Sequence, residues 1–160
     1  MMKPPLAKIE LLIRRPAADA YRAFVKPEIL TKFWLARASE PLSPNGRVRW
    51  EFLVAGAAAT LEVRSMTEDQ HIATAWDDDT TIDFSFSELE PGLTLVRVTQ
   101  AGFSGSPEEV VAKALDATQG FTIVLCELKA LLEQNIALNA VRDKARLIEQ
   151  ALPEHRPESA

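Results

Sequence analysis

Three consecutive aspartates, Asp77, Asp78 and Asp79, are the first residues whose type suggests chemistry. Hard cations take carboxylate oxygens, but a calcium loop needs roughly six to eight oxygens from a shaped segment. No glutamate follows at the spacing of such a loop, so the run reads as a solvated hairpin turn. The only histidines, His71 and His155, lie far apart in the chain, and Cys126 is the single cysteine. A zinc site needs about four such ligands, so no metal site is expected. With no histidine on its own helix to lower its pKa, Cys126 reads as a small hydrophobe rather than a nucleophile. The chain has no nucleophile elbow, phosphate loop or dinucleotide fingerprint. No catalytic residue and no cofactor are assigned. Asp83 and Glu51 fall on the wet side of their strands by alternation, whereas Asp116 can reach a cavity mouth. Acid–base work would require such a carboxylate held in a pocket with a shifted pKa.

The aromatic residues are the stronger candidates. Trp34, Trp50, Phe52, Trp76, Phe84, Phe86, Phe103 and Phe121 fall on apolar strand faces, strand edges or a helix stripe. Ligand pockets are lined by such side chains with a few polar groups. Cores are as well, so about half of the set is expected to be plain packing. Thr118 and Leu125 complete the expected ligand-binding set. Thr118 faces the same way as Leu125, and its hydroxyl either orients a ligand or bonds the carbonyl one turn back, the commoner outcome. Gly120 either lets the helix pass close to the sheet or only weakens it, by about 1 kcal/mol relative to Ala.

The elements that must position these residues follow from periodicity. Ile9, Leu11 and Ile13 alternate with polar neighbours across an extended segment, Lys8–Arg14. Pro16 suits a helix start, and residues 16–34 read as two short helices, the second opened by Pro27. EPLSPNG at 40–46 is a loop by composition. Strands then succeed one another from Arg47 to Phe103. Val48, Trp50, Phe52 and Val54 share one face, and HIATAW at 71–76 is a short strand. Ile82, Phe84 and Phe86 keep the clearest period of two in the chain. Pro91 and Gly92 turn it into a last strand, Leu93–Gln100. A long helix at about Glu108–Asn135 is announced by Ser106 as cap, Pro107 in the first position and two glutamates behind them. Phe121, Leu125, Leu128, Leu132 and Ile136 form its apolar stripe. Val141, Ala145, Ile148 and Leu152 repeat the spacing in a further short helix, which must dock on the body or on another subunit. Residues 153–160 read as a tail.

Strands clustered between segregated helices imply an α+β fold, a curved antiparallel sheet gripping a long C-terminal helix. At 160 residues the chain is expected to form one domain,. Hydrophobic content of 47% and charged content of 26% are those of a soluble globule,. A net charge of −5 argues against nucleic acid as partner,. No segment has the length of a membrane span, and the first residues lack a signal-peptide core. A cytoplasmic protein is the expectation.

Several segments together resemble a known family: PAADAYRAFVKPEILTKFW at 16–34, NGRVRWEF at 45–52, HIATAW at 71–76, TLVRVTQAGF at 94–103 and QGFTIVLCELKALLE at 119–133. The chain is similar to the START-like, helix-grip (SRPBCC) superfamily, in the branch of the activator of the heat-shock chaperone ATPase. The likeness runs from about Leu6 to Glu133. Two features depart from it: Gly46 stands alone where paired glycines are usual, and the helix after residue 136 is an addition. The resemblance implies a START-like domain at 1–139 with an extra helix and tail at 140–160, and a cavity between sheet and helix. It does not imply one activity. Three functions follow in order: binding of a small hydrophobic or amphipathic molecule such as a lipid, without catalysis; a protein-interaction module with a chaperone partner; and an enzyme acting on a polyketide-like or other carbonyl substrate. A homodimer through Val141, Ala145, Ile148 and Leu152 is a further expectation.

Overall fold

The computed structural model describes residues 3–150. Its elements are β1 (Ala7–Ile13), α1 (Ala17–Val25), α2 (Pro27–Phe33), β2 (Leu35–Ala38), β3 (Arg47–Phe52), β4 (Ala58–Thr67), β5 (His71–Trp76), β6 (Thr81–Glu90), β7 (Leu93–Ala101), α3 (Pro107–Gln134) and α4 (Ala140–Gln150). The seven strands form one curled antiparallel sheet in the order β1-β7-β6-β5-β4-β3-β2, and the long helix α3 lies in its grip. This is the expected α+β helix-grip architecture.

Alternation sets the inner face. Ile82, Phe84 and Phe86 of β6 and Thr94, Val96, Val98 and Gln100 of β7 are buried, while their neighbours are not. Register shifts interrupt the ladder at Val63/Ser65 between β4 and β5 and at Glu88/Glu90 between β6 and β7. Such bulges bend a strand and increase its twist, which helps the sheet curl.

Four boundaries differ from expectation. Edge strand β2 has no alternation of its own. It exists because β3 offers it a partner, Leu35 pairing with Phe52 across a bulge. Pro16 is the N-cap of α1 rather than its first residue, with φ −61° and ψ 151°. β3 ends at Phe52, so Val54 belongs to the following turn, not to the strand face. The stripe of α3 ends before Ile136: Asn135 takes a left-handed conformation with φ 54°, which stops the helix and leaves Ile136 51% exposed,.

The start of α3 carries a complete capping box. Ser106 accepts the Glu109 N–H, and the Glu109 carboxylate accepts that of Ser106,. The bond from Ser106, foremost, holds the Glu109 carboxyl below its ordinary range. The other end is pinned to the sheet. Lys129 donates to the Leu12 carbonyl at 2.7 Å, and Glu133 accepts the Arg14 N–H at 2.7 Å. Phe121, Val124, Leu125, Glu127 and Leu128 are buried, whereas Ala114 is the one residue so buried before them in α3. The buried positions of α3 are therefore concentrated in its C-terminal half, and the cavities lie along its N-terminal half and its middle.

Candidate functional site

The interior at the middle of the sheet is filled. Trp50, Phe84, Leu125 and Leu128 are fully enclosed, and Phe86 is nearly so. Phe24 holds Phe84 and Phe86 from the helical side, with ring centroids 4.9 and 5.8 Å away. An apolar cavity lies to one side of this core and opens to solvent. Its volume is about 360 Å³, and Trp34, Phe52, Phe121, Val124, Ala145 and Ile148 form much of its wall.

Three elements build that wall together with α3. At the C-cap of α2, Trp34 meets Trp50 at 5.1 Å and Phe121 at 5.5 Å, both edge to face,. The turn after β3 contributes Leu53, Val54 and Ala57. Helix α4 supplies Val141, Ala145 and Ile148, one face at helical spacing, with Lys144 beside them,. The Lys144 ammonium donates to Gln119 Oε1 at 3.1 Å.

Buried Glu127 docks α4. It is 4% exposed, and its carboxylate accepts the backbone N–H groups of Leu138, Ala140 and Val141. The cap of α4 is thus borrowed from α3, and the negative charge faces the positive end of the helix dipole. At the far end Glu149 Oε1 accepts the Ala55 N–H at 2.7 Å, tying α4 to the β3–β4 turn.

A second cavity of about 370 Å³ adjoins the first, with Asp116 and Ala117 lining both. Its wall is polar: Asp78, Thr80, Gln100, Ser104 and Lys113, with Phe103 as the one aromatic. Lys113 donates to the Ser104 carbonyl at 2.7 Å.

The expected ligand-binding residues fall into five groups. Trp34, Phe52 and Phe121 line the apolar cavity, and Phe103 lines the polar one. Trp50, Phe84, Phe86 and Leu125 pack the core and line neither. Trp76 stacks on Phe52 at 6.2 Å and donates its indole N–H to Thr74. Thr118 bonds the Ala114 carbonyl at 2.7 Å, so its hydroxyl is used within the helix. The helix face toward the apolar cavity is Ala117, Gly120, Phe121 and Val124, rotated from the stripe centred on Leu125 and Leu128. The stripe marks the side toward the sheet, which leaves Ala117 and Val124 outside the expected set, and the β3–β4 turn has no periodic signal to point to it. A shift along the same period gives 117, 120 and 124.

Among the described residues no cluster of potential metal ligands occurs. The aspartate run serves its turn: Asp77 accepts the Thr60 N–H at 2.9 Å, and Asp78 accepts both the N–H and the hydroxyl of Thr80. His71 lies 3.6 Å from Asp83 on the outer face, and Cys126 is exposed. His155 lies outside the described residues. Several carboxyls are displaced from their ordinary range. The Arg97 side chain lowers that of Glu10. Burial would raise that of Glu133, but the bonds from Lys129 and Arg14 together prevail and lower it. Burial, foremost, raises the Tyr21 hydroxyl. Glu10, Tyr21, Glu109 and Glu133 line neither cavity.

The family model described as Activator of Hsp90 ATPase homolog 1-like protein matches residues 14–133. The chain belongs to this family. Solved structures share the fold of this chain. One is a protein from Staphylococcus saprophyticus, 24% identical, with a TM-score of 0.72 over 83% of this chain and 95% of that one. Another is the Aha1 dimer from Colwellia psychrerythraea, 17% identical, with a TM-score of 0.69 over 81% and 96%. A third, DynU16 of the dynemicin biosynthetic locus, is 13% identical with a TM-score of 0.72, and the match spans 83% of this chain but 49% of DynU16. No curated protein matches the chain in sequence. The family match ends at residue 133, so α4 lies beyond it. No helix among the described residues is long and apolar enough to cross a membrane.

Proposed function

We propose that this protein binds a small hydrophobic or amphipathic molecule in the apolar cavity between α3, α4 and the β3–β4 turn, and that α4 is an addition to the shared domain that completes the cavity. The observation that carries the reading is the cavity itself. Its volume of about 360 Å³ lies in the range of small-molecule sites, and aromatic and aliphatic side chains line it with Asp116 and Lys144 among them,. A cytoplasmic setting fits this reading, since one cysteine offers no internal disulfide,.

The test is native mass spectrometry of the purified protein, denaturing extraction of any companion molecule, and a titration with n-decanol read by tryptophan fluorescence. Trp34 in the cavity wall is the reporter. A stoichiometric apolar companion supports the reading. So does a saturable one-to-one response to decanol that Ala117→Trp removes. An empty protein with no saturable response overturns it.

A dimer through α4 has less to work with than the spacing alone implies. Val141 and Ala145 face the cavity of their own chain, Ile148 is 49% exposed and Leu152 lies outside the described residues. The native spectrum reports the assembly state as well.

A further inference from the structure

The polar cavity carries information about the head group of the ligand, and its key is Gln100. This residue stands on the inner face of β7, two positions beyond Val98, and is 8% exposed. Its Nε2 donates to Thr80 Oγ1 at 3.1 Å, and Thr80 Oγ1 donates to Asp78 Oδ1 at 2.6 Å. The direction of this relay is fixed from its far end. An ionised carboxylate only accepts, so the single hydroxyl proton of Thr80 goes to Asp78. The Thr80 oxygen must then accept from Gln100, which requires the NH2 edge of the amide on that side. Amide orientation is settled by such a network. The opposite edge, Oε1, is left as an acceptor. It takes no hydrogen bond from a described residue, and it is not among the fully enclosed atoms without a partner. It is therefore not sealed in, and Gln100 lines the polar cavity.

The surroundings have the same bias. Asp116 lines both cavities and forms no hydrogen bond or ion pair among the described residues, and Asp78 lines the polar one. Lys113 is the one cation in that wall, and it already donates to Ser104. Acceptors on Gln100, Asp116 and Asp78 thus outnumber the cation, since the Lys113 ammonium has one of its three N–H groups turned to Ser104, while the apolar half lies directly beside it across Ala117,.

Resting on the function proposed above, we infer that the two adjoining cavities form one bipartite site for an amphipathic molecule with a hydrogen-bond-donating head, a hydroxyl or an ammonium, received by Gln100 Oε1. The apolar body lies against Phe121 and Val124, and the neck passes Asp116. A head with acceptors only, such as a ketone, sets lone pair against lone pair and leaves Gln100 unsatisfied.

The probes are n-decanol and octyl methyl ketone, both neutral and of equal carbon count, titrated into the full chain. Decanol is expected to bind on the order of tenfold tighter, the worth of about one hydrogen bond. Gln100→Leu removes the acceptor and should bring the two affinities together. Thr80→Val is sharper, because it leaves Gln100 in place and only frees its amide to turn over. The preference should shrink in this variant while the ketone gains affinity, which a merely structural role would not produce. Equal binding of both probes by the native protein, or a preference unchanged in both variants, overturns the head-group assignment and leaves the apolar cavity standing. Failure of both probes to bind overturns the cavity reading itself. If neither variant folds, the comparison on the native protein decides.

Discussion

Gly120 lies in the interior of α3, where a glycine ordinarily costs about 0.5–1 kcal/mol relative to alanine through lost backbone entropy. Its place is explained by close packing only if a Cβ would strike something. None does: a Cβ built there meets no atom within 4 Å, and the residue lines the apolar cavity. Gly120→Ala should therefore recover the helix propensity without a steric cost, a gain of about 0.5–1 kcal/mol. For a chain of this size that is a rise in Tm of about 1–4 °C. In urea the midpoint should move up at constant slope, because the surface exposed on unfolding hardly changes. Gly120→Leu keeps the propensity gain but extends a branched chain into the cavity, so it should weaken decanol binding while leaving stability at or above that of the native protein. A clear loss of stability in the alanine variant would refute the reasoning, since it would mean that α3 needs a close approach at this point. Unchanged decanol binding in the leucine variant would show that the ligand lies elsewhere.

Three further outcomes are expected. Leu128→Ala, at a fully buried position, should cost about 2–5 kcal/mol in chemical denaturation, and a loss under about 0.5 kcal/mol would place the sheet-facing side of α3 elsewhere. Glu127→Ala strips three backbone N–H groups of their acceptor and should cost about 1–3 kcal/mol; hydrogen exchange over residues 138–150 should accelerate, and unchanged exchange there would show that α4 docks without it. The Glu133 carboxyl is held below its ordinary value of 4.5 in the folded chain, so its contribution is complete above that value and is lost as pH falls through the lowered one. Glu133→Gln should accordingly flatten the acid limb of the stability curve, and an unaltered limb would assign acid sensitivity to other carboxyls.

The sheet and its grip on α3 were legible because their signals are local and repeated. Alternation in β6 puts Ile82, Phe84 and Phe86 on one face whatever their partners are, and the capping box needs only Ser106 and Glu109. Strand β2 was not legible, since Leu35–Ala38 becomes a strand only through pairing with β3. The site was half legible for a related reason. Composition marks the aromatic set but not which members fill the core. Phe84 lies on β6, where Phe24 of α1 presses on it, and Trp50 on β3 is enclosed between Trp34 and Trp76, whereas Trp34 and Phe52 also border the cavity that α4 walls. The role of Glu127 had no sequence signal, because the N–H groups it serves lie at, or just before, the start of a helix that begins 13 residues later. Gln100 did have one. Its place on the inner face follows from Val96 and Val98 by a period of two, and a polar side chain at such a position asks for a partner.

The borrowed cap has a thermodynamic consequence. Helix α4 is held by a carboxylate from α3 and by Glu149 against the β3–β4 turn, and the same helix walls the apolar cavity. Docking of α4 and occupancy of that cavity are therefore linked equilibria. A ligand that touches Val141, Ala145 and Ile148 strengthens the hold on α4, and by reciprocity each interaction that holds α4 raises the affinity for such a ligand by the same factor. A partner that captured α4 for itself would act as an unloading device. It would remove a wall and release the contents without ever reaching them.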